Sequence, residues 1–345
     1  MKIQHYLYWL AAVCLSFYLL LVGKDLLVPL IVAVIIWYLT NVLATGFGHI
    51  PLGKRRLSRP VCFTLAVLGI CGSLFLLINL ISRNITDMIA AAPIYQDNLI
   101  RAIGRLFRLV GLAEPLTVRQ VFETLDIRSS LTRIAVALGG VVGKTGIIVV
   151  YLILLFLEQK SFRLKFNALF SDSRKREQFA QLLSHINSDI RTYVGIKTLT
   201  SFVTAVLSYV IMAAIGLDFA GFWAILIFLF NYIPTFGSII ATIFPAVLAL
   251  VQYSGFLPFV FVGGVIGGLQ FLIGNVLEPR LMGNRLNLSP LVILLALALW
   301  GSIWGVTGML LSVPIMSILM IVLTHFPQSR VAAILLSRRG QISSE

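Results

Sequence analysis

Residues 219–251 read FAGFWAILIFLFNYIPTFGSIIATIFPAVLALV and carry no charged side chain. The run is longer than the roughly 20 residues a helix needs to cross a hydrocarbon core of about 30 Å. It is also interrupted. Pro234 removes a backbone donor and disfavours helical geometry at Ile233, while Gly237 permits dihedrals that other residues resist. Two structures fit this pattern: a helix that breaks inside the membrane, or a packed helix with a proline kink. Broken backbone in a bilayer must be buried in protein or line a wet cavity. Discontinuous helices of that kind present backbone dipoles to transported solutes.

The surrounding block, residues 195–325, is the most apolar of the chain. Its five charges are Lys197, Asp218, Glu278, Arg280 and Arg285. Spans are expected near 196–215, 219–251, 257–277 and 290–324. The last is again too long for one crossing and is interrupted by Gly301-Ser302-Ile303-Trp304-Gly305-Val306-Thr307-Gly308. Ahead of it, Gly263, Gly264, Gly267 and Gly268 fall four apart in pairs and make a smooth face for close helix packing. Gln270 and Asn275 place amides in the same span, and Glu278 is the only acid between Asp218 and the C-terminal tail. A carboxylate there must be solvated, paired or protonated. Its local partner by sequence is Arg280, although residues two apart do not share a helix face.

Toward the N-terminus the pattern continues. A helical hairpin is expected over 6–23 and 26–45, then a basic loop with Lys54, Arg55 and Arg56, then a third span from Pro60 to about Ile81. Residues 83–133 hold seven arginines and five acids. Within them, Leu99, Ile103, Leu106, Phe107 and Val110 recur at helical spacing, which predicts an amphipathic helix too charged to span. The expected organisation is an N-terminal three-span region (1–82), an amphipathic extracytoplasmic region (83–133), a fourth span (134–157), a basic cytoplasmic region (158–194), the C-terminal core (195–325) and a cytoplasmic tail (326–345). Basic residues in the loops put both termini in the cytoplasm, so an even number of crossings is expected, about eight.

Composition agrees with this layout. Of 345 residues, 59% are hydrophobic and 12% charged, against about 45–50% and 25% in soluble domains. Mean hydropathy is +0.98. The expected class is an all-α integral membrane protein. A β-barrel would show short alternating segments instead. The net charge of +14 is explained by basic loops between spans, without a nucleic-acid partner. Cys14, Cys62 and Cys71 lie in apolar runs without metal-ligand spacing, and the four histidines are scattered. No cofactor, metal site or catalytic constellation is expected, and the chain does not read as an enzyme. The run Gly139–Thr145 imitates a phosphate-binding loop, but Leu138 stands where that pattern needs glycine.

Four stretches together resemble the autoinducer-2 exporter family of membrane permeases: Asn231–Gly237 (NYIPTFG), Gln270–Gly283 (QFLIGNVLEPRLMG), Leu288–Val292 (LSPLV) and Gly305–Pro314 (GVTGMLLSVP). The resemblance implies a polytopic protein of a bacterial inner membrane, usually of eight spans. It implies export of autoinducer-2 in some members and sodium/proton exchange in others, and homo-oligomers. The expected function is ion-coupled export of a small polar organic molecule by alternating access. The coupling ion would be a proton or sodium. A sodium or lithium/proton antiporter is the alternative, and a membrane scaffold without transport is the alternative of another class. On the transport reading, Pro234 and Gly237 make the first break and Gly305 and Gly308 the second. Asn231, Gln270 and Asn275 supply hydrogen bonds, and Glu278 with Arg280 forms the coupling pair.

Overall fold

A computed structural model describes residues 2–48, 57–109, 145–169, 172–253, 255–283, 287–325, 329–338 and 340. The basic loop at 54–56, residues 110–133 of the expected extracytoplasmic region, the glycine run 139–143 and the first part of the expected fourth span lie outside the described residues.

The described chain is helical: α1 (Lys2–Val22), α2 (Lys24–Gly48), α3 (Arg59–Leu109), α4 (Thr145–Leu169), α5 (Ser173–Ala214), α6 (Ala220–Phe230), α7 (Phe236–Gln252), α8 (Phe256–Leu272), a π-turn (Ile273–Leu277), α9 (Glu278–Met282), α10 (Pro290–His325) and α11 (Arg330–Leu336). Among the described residues the sole β feature is an isolated antiparallel bridge between Leu288 and Ser337. Among the described residues, five helices are by length and composition apolar enough to cross a membrane: Lys24–Gly48, Arg59–Ala102, Arg176–Ala214, Phe256–Met282 and Pro290–His325. Four further apolar helices are shorter. The all-α membrane class therefore holds. The shorter four include both limbs of the over-long segment 219–251, Ala220–Phe230 and Phe236–Gln252.

Two boundaries read from composition are not breaks in the chain. α3 runs unbroken through residue 82, and α5 through residue 194. In α3 the pattern changes while the helix continues. Around residues 74–76 its apolar side chains are exposed, and beyond them Ile85, Met88 and Ala92 form a buried stripe. Ile85 and Met88 pack with Leu217 and Phe222. The amphipathic segment is thus a continuation of the third span that covers a protein core. At the N-terminus one residue, Gly23, separates α1 from α2. Helical bonding bridges it, with the Gly23 N–H donating to the Leu19 carbonyl and the Leu27 N–H to the Gly23 carbonyl, both at 2.8 Å. A junction stands where a hairpin turn was expected.

The chain forms two compact units. One comprises Met1–Cys71, Gly143–Arg191 and Leu286–Glu345. In it, α2 and α4 are tied by a closed amide network. The Trp37 indole donates to Gln159 Oε1 at 3.2 Å, Gln159 Nε2 to Asn41 Oδ1 at 3.1 Å, and Asn41 Nδ2 to the Trp37 carbonyl at 2.8 Å. The other unit comprises Gly72–Val142 and Thr192–Arg285. Its core joins α5 (Ala205, Met212), α6 (Phe222, Trp223, Ile227), α7 (Ala241, Ala246, Ala249) and α8 (Val262, Ile266). The exposed Asp218 sits at the α5–α6 turn, where its carboxylate accepts the Tyr95 hydroxyl at 2.8 Å. Gln252 closes the same turn by accepting the Asp218 N–H at 2.7 Å and donating to the Gly216 carbonyl at 2.8 Å.

Candidate functional site

The break at Asn231–Gly237 is a reversal. Trp223 of α6 stacks on Phe244 of α7 with ring centroids 5.9 Å apart, whereas 21 residues of straight helix would separate them by about 30 Å. The turn is tight because Gly237 lies against the Phe230 carbonyl; a Cβ built on it would stand 1.8 Å from that oxygen. Between them, the Phe236 N–H donates to the Pro234 carbonyl at 2.6 Å. This leaves Thr235 at φ 60° and ψ −59°, the geometry of a classic γ-turn, rare and strained for a β-branched residue. Pro234 presets the approach to this turn and cannot continue α6.

In the other unit, α10 reverses in the same manner. Gly305 has φ 62° and ψ −140°, a conformation open essentially to glycine alone. Ala296 shares a cluster with Met316 and Met320, joined by Val292, Ile293 and Leu323, which only a folded-back helix allows. A Cβ on Gly308 would stand 1.8 Å from the Trp300 carbonyl. Both over-long apolar segments are therefore helical hairpins rather than kinked helices.

The position of Glu278 follows from the π-turn. On α8 the buried residues Val262, Ile266, Gln270 and Ile273 form one helical stripe. Ordinary helix would bring Leu277 next onto that stripe. Pro279 has no N–H to donate to the carbonyl four residues back, and the helix widens ahead of it. The Glu278 N–H donates to the Ile273 carbonyl five residues back, so Glu278 takes the inward place and Leu277 is exposed. Single π-turns of this kind are frequent at functional sites.

Glu278 is paired with Lys197 and not with Arg280. Lys197 Nζ donates to both carboxylate oxygens, at 2.7 and 2.9 Å, and the two side chains are only 11% and 18% exposed. Arg280 is exposed, because two residues along a helix turn it away from the stripe. One turn before Lys197, Tyr193 is buried and within electrostatic reach of Glu278 and Tyr232. Beside the pair, the Thr198 hydroxyl donates to the Val194 carbonyl at 2.7 Å and contacts the Tyr232 hydroxyl at 2.7 Å. With the Thr198 proton in use, Tyr232 is the donor. The tip of the α6–α7 hairpin is thereby tied to α5 next to the ion pair.

The expected site residues divide accordingly. Asn231, Pro234 and Gly237 belong to the hairpin tip, Glu278 to the ion pair, and Gln270 to the buried stripe one unit holds in common. Asn275 is exposed in the π-turn. Gly305 and Gly308 belong to the hairpin of the other unit. The Leu288–Val292 motif anchors the start of α10, where the Ser289 N–H donates to the Leu336 carbonyl at 3.0 Å.

Of the paired glycines, only one of each pair faces α7. A Cβ on Gly263 would lie 3.4 Å from Ala246 Cβ, and one on Gly267 3.5 Å from Thr242 Cγ2; Gly264 and Gly268 face open space. Gly263→Leu and Gly267→Leu are expected to lower the thermal midpoint in detergent by overpacking worth about 1–3 kcal/mol. Gly264→Leu and Gly268→Leu should leave it unchanged or raise it.

Sequence reasoning misses Lys197 as a site residue. The signal was available: a lone lysine in an apolar block, followed by Ser201, Thr204 and Ser208 at helical spacing. Its distance of 81 residues from Glu278 hid the pairing.

Comparison with known proteins agrees with this architecture. The family model described as AI-2E family transporter matches residues 7–328. The "Putative transport protein" of Haemophilus influenzae is 32% identical over 294 residues, covering 82% of this chain and 83% of that protein. The AI-2 transport protein TqsA of Escherichia coli K12 is 28% identical over 321 residues, covering 91% and 90%. With a match that spans nearly the whole chain and a multi-pass helical architecture, this protein belongs to the AI-2E transporter family of membrane permeases.

Proposed function

We propose that the chain is a secondary transporter of a bacterial inner membrane that exports a small polar organic molecule of the autoinducer-2 kind. The observation that carries this reading is the Lys197–Glu278 ion pair set beside a broken helical hairpin. Ionisable groups within apolar spans are costly and mark solute and ion pathways. The hairpin supplies exposed helix ends, Asn231 and Gln270 supply amides, and Glu278 supplies the group that takes up the coupling ion. Proton or sodium binding at Glu278 competes with Lys197, so the pair opens and closes as the carboxylate is neutralised. That is a two-state element of the kind alternating access needs. Support for the substrate comes from the relative named AI-2 transport protein. Both termini are cytoplasmic on this reading, and the protein works as a homo-oligomer.

A sodium or lithium/proton antiporter is the second reading. It is favoured by the same carboxylate, which a single ammonium holds and a small cation could displace.

The test uses purified protein in liposomes containing a pH-sensitive dye. Under an imposed proton gradient, wild type is expected to move autoinducer-2 and to dissipate the gradient as it does so. Glu278→Gln is expected to lose the proton dependence. Unchanged coupling in that variant would overturn the role of Glu278. Collapse of the gradient by sodium alone, with no movement of autoinducer-2, would replace export with antiport.

A further inference from the structure

Between Lys197 and Ala214, α5 is an inside-out helix. Leu199, Phe202, Val206, Tyr209 and Val210 are exposed, as contact with lipid requires. The buried side carries Lys197, Ser201, Thr204 and Ser208, whose spacing of four, three and four is one helix face. The Thr204 hydroxyl is in use, donating to the Thr200 carbonyl at 2.7 Å. Those of Ser201 and Ser208 have no hydrogen-bond partner, although both residues are 0% exposed. Buried serines in helices ordinarily donate to a carbonyl of the preceding turn; these two do not.

A third unpartnered atom comes from a different helix. Gln270 of α8 is 7% exposed and its Nε2 has no hydrogen-bond partner. Its level along α5 follows from two fixed points. Glu278 meets Lys197, while Val262 and Ile266 share a core with Ala205 and Met212, so α8 runs antiparallel to α5. Gln270 precedes Glu278 by eight residues, about 12 Å of helix. That brings it level with Ala205, between Ser201 and Ser208. Three orphaned polar atoms thus follow one another over about 10 Å of the buried side. Buried groups in that arrangement are the ordinary partners of internal water. A cation fits poorly there, because the Gln270 amide N–H and the Lys197 ammonium both present donors.

We infer that α5 and α8 enclose a file of bound water that begins at Ser208, passes Gln270 and Ser201, and ends at the Lys197–Glu278 pair. The file is the proton route to Glu278. At its end a hydronium hands its proton to a Glu278 carboxylate oxygen and leaves a water. The carboxylate becomes an acid, Lys197 keeps its proton, and the pair gains one positive charge. The groups that face Glu278 are Lys197 and Tyr193 from α5, with Tyr232 of the hairpin held beside them on Thr198 and Arg280 exposed on its own helix. The use of the file in coupling rests on the proposed transport; its existence does not.

The experiment uses the full chain in liposomes, with Cys14, Cys62 and Cys71 replaced by serine. Single cysteines are placed as Ser201→Cys and Ser208→Cys in the file, Phe202→Cys on the lipid side and Met212→Cys in the dry core. The probe is Ag⁺, a thiol-reactive ion close to water in size, and the readout is the free thiol left after quenching and denaturation. Serine to cysteine changes one atom, and matched size-exclusion profiles check the fold. Ser201→Cys and Ser208→Cys are expected to react at least about tenfold faster than the other two, because thiolate reactivity requires water. Adding Gln270→Leu should slow Ser208→Cys toward the dry-core rate. File positions as slow as Met212→Cys would overturn the inference. Fast labelling without flux of autoinducer-2 or sodium would support the file while overturning the transport reading, and flux without labelling would do the reverse.

Discussion

Gly237→Ala and Gly308→Ala are each expected to destabilise the protein strongly. In both, the added methyl would stand 1.8 Å from a backbone carbonyl oxygen, that of Phe230 or Trp300. A carbon and an oxygen in contact need more than 3 Å. The neighbour that would have to move is helix backbone, not the tip of a flexible side chain. Relief requires opening the hairpin, which separates Trp223 from Phe244 in one case and Ala296 from Met316 in the other. The cost is expected at about 3 kcal/mol or more, the upper end of overpacking effects and a large share of a typical stability of about 5–15 kcal/mol. The yield of monodisperse protein and its thermal midpoint in detergent report the effect. Gly146→Ala, where a Cβ meets nothing within 4 Å, should raise stability slightly, as alanine does in a helix. Equal behaviour of Gly237→Ala and Gly146→Ala would show that the hairpin tip is not closed as described.

The second large effect concerns the ion pair. Lys197→Met leaves Glu278 without its partner in a nearly buried position. Breaking such a pair by removing one member costs about 3–5 kcal/mol, whereas replacing both members by apolar residues is often neutral or stabilising. Lys197→Met is therefore expected to be strongly destabilised, and the double variant Lys197→Met with Glu278→Leu to recover a thermal midpoint near wild type. Transport separates structure from function here. On the proposed reading, the recovered double variant folds and carries no ion-coupled flux. A double variant that regains both stability and flux would reduce the pair to a structural bridge.

The two effects differ in how far they could be anticipated. The tight spots at Gly237 and Gly308 lie within segments whose interruption is visible in sequence. Proline and glycine act on the backbone within a few residues, and an apolar run too long for one crossing must be divided somewhere. The membrane class follows for the same reason: 12% charge cannot cover a water-facing surface, whatever the fold.

Other properties depended on contacts between distant parts of the chain. Whether residues 231–237 kink a helix or reverse it turned on the packing of α6 on α7. The choice of Gly263 and Gly267 over Gly264 and Gly268 turned on where α7 lies. The unbroken course of α3 past residue 82 turned on a core that covers its lower half. Most of all, the partner of Glu278 was decided in three dimensions. Local spacing offers Arg280, but a π-turn shifts the helix by one residue and aims the carboxylate at Lys197, 81 residues away. Hydropathy, chain breaks and helix periodicity are properties of neighbouring residues and can be read along a sequence. The pairing of two buried charges is set by which helix faces meet, and only the folded bundle determines that.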